Sequence, residues 1–114
     1  MRQVTADMIR AVKEGKKFKG QNTSYDPDTG EVRLHGNLIA NVKATPPFWT
    51  MAGWGSHTTR DRVNGLIDLL GDSELRGVCQ RDHEQHVMVG DKTVPIDTRK
   101  RYPFVSVLVA IEGL

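Results

Sequence analysis

The sequence has 114 residues, 38% hydrophobic and 26% charged, with a formal net charge of +2. That is enough chain for one globular domain with a thin core, and the balance excludes both a disordered chain and a membrane-embedded one. The lone Cys79 excludes an internal disulfide, and the longest apolar run, Val105–Ile111, suits a buried strand rather than a membrane span. The first seven residues lack an apolar signal region, so the expectation is a protein kept in a reducing cytoplasm. A net charge of +2 does not imply nucleic acid. Its distribution matters more, with Lys13, Lys16, Lys17 and Lys19 in one basic cluster and Arg99, Lys100 and Arg101 in another.

In chain order, residues 5–14 read as a first helix, with Thr5 as N-cap, Met8, Ile9 and Val12 on its apolar side and Gly15 as its stop. Phe18 starts a strand running toward Thr23 and Tyr25. Asp26-Pro27-Asp28-Thr29-Gly30 is the strongest turn signal, with Pro fixing φ and Gly supplying the left-handed position, so Asn22–Tyr25 and Glu31–Leu34 form a hairpin. His35-Gly36-Asn37 makes a second tight turn. Leu38–Lys43 continues as a strand with Leu38, Ala40 and Val42 on one face, and Phe48–Met51 follows the Pro46-Pro47 interruption. Residues 58–70 form a central amphipathic helix capped by Thr58. Asp61 holds the capping-box position, Val63, Leu66, Ile67 and Leu70 form the buried stripe, and Arg60, Asp61, Asn64 and Asp68 face elsewhere. Gly71-Asp72-Ser73 ends the helix. Gly77–Arg81, His86–Val89 and Thr93–Ile96 are short strands, the last two joined by Gly90-Asp91-Lys92, and Tyr102–Ile111 is a central or interface strand. The sum is an α+β fold in one domain, 1–114: a mainly antiparallel sheet, an N-terminal helix and a central amphipathic helix.

Cys79, His83 and His86 lie close in sequence, and His57 could join them, but their spacing matches no structural zinc pattern. Two histidines three apart on one strand would also point to opposite faces. Ser56, His57 and Asp61 are neighbours, whereas triads assemble from distant segments, and no nucleophile elbow or phosphate-binding glycine loop is present. The reading is therefore a protein that is not an enzyme and uses neither metal nor cofactor. The more specific signal is a set of residues suited to a phosphorylated, base-containing ligand. Arg60 and Arg62 offer forked donors, with Arg81, Arg99 and Arg101 as further cations. Thr58, Thr59 and Asn64 supply neutral hydrogen-bonding groups, and Trp54 and His83 (or Trp49) supply rings for stacking.

Three strings carry a resemblance: His35-Gly36-Asn37-Leu38-Ile39-Ala40; Ala52-Gly53-Trp54-Gly55-Ser56-His57-Thr58-Thr59-Arg60-Asp61-Arg62-Val63-Asn64-Gly65-Leu66; and Val78-Cys79-Gln80-Arg81-Asp82-His83. Together they resemble a group of small proteins encoded by tailed bacteriophages, over about residues 18–90. In size and order of elements the chain is also similar to the anti-Thoeris phage sponge proteins. That resemblance implies a non-catalytic homo-oligomer, dimer or hexamer, acting in the cytoplasm of the infected host. It would capture cyclic ADP-ribose isomers, and in some members cyclic oligonucleotides at separate sites. His83 stands where the pattern expects Phe or Trp, which weakens stacking at that position. The rival reading is a phage module that binds nucleic acid or a host protein.

Overall fold

A computed structural model describes residues 1–106 and has the expected α+β architecture. Helix α1 (Gln3–Glu14) begins earlier than the sequence suggests. Arg2 is its N-cap without a side-chain hydrogen bond, and Thr5 is buried inside the first turn rather than capping it. Gly15 ends the helix at φ 66, its N–H turned back to the carbonyls of Ala11 and Val12.

Among the described residues, six strands form one antiparallel sheet in the order β1-β2-β3-β4-β5-β9. They are β1 (Phe18–Gly20), β2 (Thr23–Tyr25), β3 (Glu31–Leu34), β4 (Asn37–Asn41), β5 (Phe48–Trp49) and β9 (Tyr102–Pro103). The single strand expected from Phe18 to Tyr25 is in fact a hairpin. Gln21 and Asn22 both take positive φ, a turn that the absence of glycine there conceals. Asp26–Gly30 turns as expected, Gly30 donating its N–H to the Asp26 carbonyl at 2.8 Å. Between β3 and β4 the register shifts at Val32/Arg33, and Ile39 is the unpaired residue. This bulge overturns the expected alternation of Leu38, Ala40 and Val42. Ile39 and Ala40 are both buried, and Leu38 and Val42 are only partly so.

Helix α2 (His57–Leu70) packs Val63, Leu66 and Ile67 into the core; Leu70 is 38% exposed and leaves the stripe. Its N-cap is Ser56 rather than Thr58, the Ser56 Oγ accepting from the Thr59 N–H at 3.1 Å. The two helices touch at Gly65, where a Cβ would lie 2.6 Å from Thr5 Cγ2, so the contact needs the glycine. Beyond α2, β6 (Leu75–Arg81), β7 (Glu84–Val89) and β8 (Lys92–Pro95) make a second antiparallel sheet. Val78, Val87 and Val94 form its buried row.

The C-terminal strand is shorter than expected. β9 pairs Tyr102 with Trp49, their rings stacked at 5.0 Å between centroids, and then stops at Pro103. Ser106 instead donates its N–H and its hydroxyl to the Asp72 carboxylate, each at 2.9 Å. The rest of the expected Tyr102–Ile111 strand, from residue 107, lies outside the described residues. No helix among the described residues is long and apolar enough to cross a membrane.

Candidate functional site

The start of α2 is shaped by the turn before it. Ala52 (φ 53) and Gly53 (φ 82) are both left-handed, and the Trp54 N–H is bound to the Met51 carbonyl at 2.8 Å. This turn throws Trp54 outward, leaving it 59% exposed while Trp49 is fully buried. An exposed indole gives up burial free energy of roughly 1.5–3 kcal/mol, which makes it the least expected apolar group on this surface.

Beneath Trp54 lies a cavity of about 330 Å³ lined by Leu34, His35, Asn37, Ile39, Trp54, Ser56, Thr58 and Thr59. Leu34 and Ile39 make its apolar side. Ser56 and Thr59 hydroxyls meet at 2.8 Å, and Arg2 reaches Thr58 Oγ1 from outside at 3.4 Å. The first turn of α2 carries no acidic side chain, so the positive end of the helix dipole beside the cavity is not cancelled there. Asn37 and Ile39 belong to the first of the three strings, and Trp54, Ser56, Thr58 and Thr59 to the second. His35, Asn37 and Ser56 were absent from the sequence-based set although all three stand in those strings. The hairpin that folds β4 over the helix start was the available signal.

On the other side of Gly55 is a second cavity of about 510 Å³, lined by Gly55, His83, Glu84, Gln85, Pro95, Ile96, Asp97 and Thr98. His83 is there because Asp82 (φ 50) and His83 (φ 66) form the tight β6–β7 turn. Arg60 binds the Gly55 carbonyl and the Gln80 and Gln85 side chains at its edge.

The remaining expected contacts are scattered. Arg62 is 1% exposed and lines neither cavity. Its Nε donates to Thr23 Oγ1 at 2.9 Å and its Nη1 to Thr5 Oγ1 at 2.8 Å and to Asp61 at 3.0 Å. The Thr5 hydroxyl in turn donates to Asp61. Burial opposes the Asp61 charge, but the bonds from Thr5 and the Arg2 backbone, with Arg62 beside it, hold its pKa below the usual carboxylate range. Burial likewise pulls the Arg62 pKa down against the attraction of Asp61. Asp61 is thus a partner inside the fold rather than a capping-box residue.

Asn64 is also engaged within the protein. Its Nδ2 donates to the Val78 carbonyl at 3.1 Å and its Oδ1 accepts the Val78 N–H at 2.6 Å. Arg101 lies over the Phe48 ring at 4.3 Å. Arg99 packs beside Gly53, and Arg81 is exposed on β6 opposite Glu84. Of the ten expected residues, the structure brings Trp54, Thr58 and Thr59 to one cavity and His83 to the other, with Arg60 between them.

The comparison with curated proteins found no match, and neither did the comparison with solved structures. A family model described as Kyanoviridae Gp96 protein matches residues 1–107. Across nearly its whole length, then, this chain belongs to the Kyanoviridae Gp96 protein family, a family of tailed-bacteriophage proteins.

Proposed function

We propose that this phage protein binds and sequesters a cyclic nucleotide signal of the host's immune response without cleaving it. Cyclic ADP-ribose isomers are the first candidates, followed by cyclic oligonucleotides. The observation that carries the reading is the exposed Trp54 indole above a cavity at the acid-free start of α2. A base would stack on the indole against Leu34 and Ile39, with Asn37 placed to meet its polar edge. A phosphoryl group would face the first-turn N–H groups of α2 and Arg2. Charge-assisted contacts with one stacked ring would supply roughly 5–8 kcal/mol before ordering costs, equivalent at most to a Kd between about 200 μM and about 1 μM. The same resemblance supports a homo-oligomer acting in the host cytoplasm.

The test is calorimetry with cyclic ADP-ribose isomers, cyclic dinucleotides and cyclic trinucleotides, followed by denaturation and mass spectrometry of the released ligand. Saturable binding with intact recovery supports sequestration. No heat with any of them removes it, and recovery of cleaved ligand turns the protein into a hydrolase.

The second reading, a module for nucleic acid or a host protein, draws on the exposed Lys16, Lys17 and Lys19 around β1. It requires a complex whose affinity falls steeply with salt, or a host protein captured by the wild type and lost when these lysines are changed to Glu.

A further inference from the structure

Arg60 is held by one nitrogen. Its Nη1 donates to the Gly55 carbonyl at 3.1 Å, to Gln80 Oε1 at 3.0 Å and to Gln85 Oε1 at 3.1 Å. Nη1 has two hydrogens, which three oxygens share. Nη2 and Nε, which carry the other three N–H groups of the fork, have no hydrogen-bond partner among the described residues. All three acceptors are neutral amide oxygens, so they fix the direction of the guanidinium and leave its charge uncancelled. The ion pairs among the described residues join Lys16 to Glu14, Arg33 to Glu31 and Arg62 to Asp61, and none includes Arg60.

The holder is itself fixed. Gln85 is 5% exposed, and its Nε2 donates to Gln80 Oε1 at 2.9 Å and to the Gly55 carbonyl at 3.5 Å. A Cβ on Gly55 would stand 3.0 Å from that same Nε2, so the close approach is made by a glycine. A surface arginine gains most from a carboxylate. Here its neighbours supply amides, and the two acids nearby, Glu84 and Asp97, line the adjoining cavity instead, with Asp97 Oδ1 taken by the Arg99 N–H.

We propose that Arg60 is the receptor for a phosphoryl anion, and that Gln85 is the residue that positions it. The idea deepens the reading of the protein as a binder of phosphorylated ligands and rests on it. A planar fork oriented from one side presents its free N–H groups to two oxygens of one phosphoryl group.

Inorganic pyrophosphate, titrated calorimetrically into the whole protein at low salt, is the probe, with thermal unfolding of each variant measured alongside. Gln85→Glu keeps acceptor oxygens on Nη1 but sets a carboxylate against the guanidinium. It also removes the Nε2 donor to Gln80 Oε1 and the Gly55 carbonyl, so a lower unfolding temperature is expected, and at a temperature where the variant is folded it should bind pyrophosphate at least about tenfold more weakly. Arg60→Gln is expected to lose binding to a similar degree. A purely structural Gln85 would give a Gln85→Glu variant of lowered unfolding temperature whose folded form binds pyrophosphate as tightly as wild type. That result, an Arg60→Gln variant that binds as tightly as wild type, or a wild-type protein with no affinity for pyrophosphate would each overturn the proposal. If pyrophosphate binds through Arg60 while every cyclic nucleotide fails, the nucleotide reading falls and the anion receptor stands.

Discussion

The side-chain amide of Asn64 pairs with both backbone polar groups of Val78, donating to its carbonyl at 3.1 Å and accepting its N–H at 2.6 Å. One residue of α2 thereby does for β6 what a neighbouring strand would do, and ties the helix to the second sheet. Gly77 makes the approach possible. It sits at φ 142, and a Cβ there would be 2.7 Å from Asn64 Oδ1. Replacing Asn64 by Ala strands a partly buried donor and acceptor, and is expected to cost about 1–3 kcal/mol in urea unfolding. Gly77→Ala should cost a similar amount by displacing the same amide. A stability within about 0.5 kcal/mol of wild type for both would show that water replaces the amide.

Arg62 should behave as an interior residue. Arg62→Met leaves Asp61 without its ion-pair partner and Thr5 and Thr23 without a donor, and an expected loss of about 3–5 kcal/mol follows. Gly65→Ala pushes against Thr5 in the same junction and should cost about 1–3 kcal/mol. Equilibrium unfolding of the two variants and of their combination checks the assignment. Because the sites touch, their effects should not add.

Acid should destabilise the protein through two carboxylates. Hydrogen bonds from the Ser106 N–H and hydroxyl hold the Asp72 pKa below its ordinary value, and Asp61 is lowered as described above. Each group titrates lower in the folded protein than in the unfolded chain, so at acid pH the unfolded state binds more protons. Their contribution is fully present above about pH 3.9 and is lost as the pH falls through the folded values. Thermal unfolding from pH 7 to pH 2 should show this decline, and Asp72→Asn should make it shallower. A melting temperature that stays flat across that range would count against both assignments.

Trp54 and Trp49 should separate in fluorescence. Trp49 is buried with its Nε1 donating to the Pro103 carbonyl at 3.2 Å, and Trp54 is largely exposed. If Trp54 stacks on a base, ligand quenches its emission, and Trp54→Ala weakens binding by about tenfold or more at little cost in stability. Quenching that persists in Trp54→Ala would place the ligand elsewhere.

The punctuation of this fold was legible because turns are encoded locally. Gly15, Asp26–Gly30 and Gly90-Asp91 declare themselves by residue type. The Gln21–Asn22 turn and the Ile39 bulge were hidden, since neither uses a glycine. The site was legible only in part. Trp54, Thr58 and Thr59 follow from proximity to one helix start. Arg62 looks equally available in sequence, yet its partners Thr23 and Thr5 lie 39 and 57 positions away. Nothing near Arg62 announces that the chain will fold over it. Gln85 was invisible for the same reason, meeting Arg60 from 25 positions away.

The pairing of Asn64 with Val78 also bears on assembly. An unpaired strand edge is where another copy adds most readily, and in the three-stranded sheet β6 and β8 are the two edges. On β6 the middle position is already taken by a side chain of the same molecule, so an incoming strand would have to displace it. Any growth of this sheet between copies would thus be directed to β8, where Lys92 and Pro95 stand at the two ends of the strand and leave Thr93 and Val94 between them.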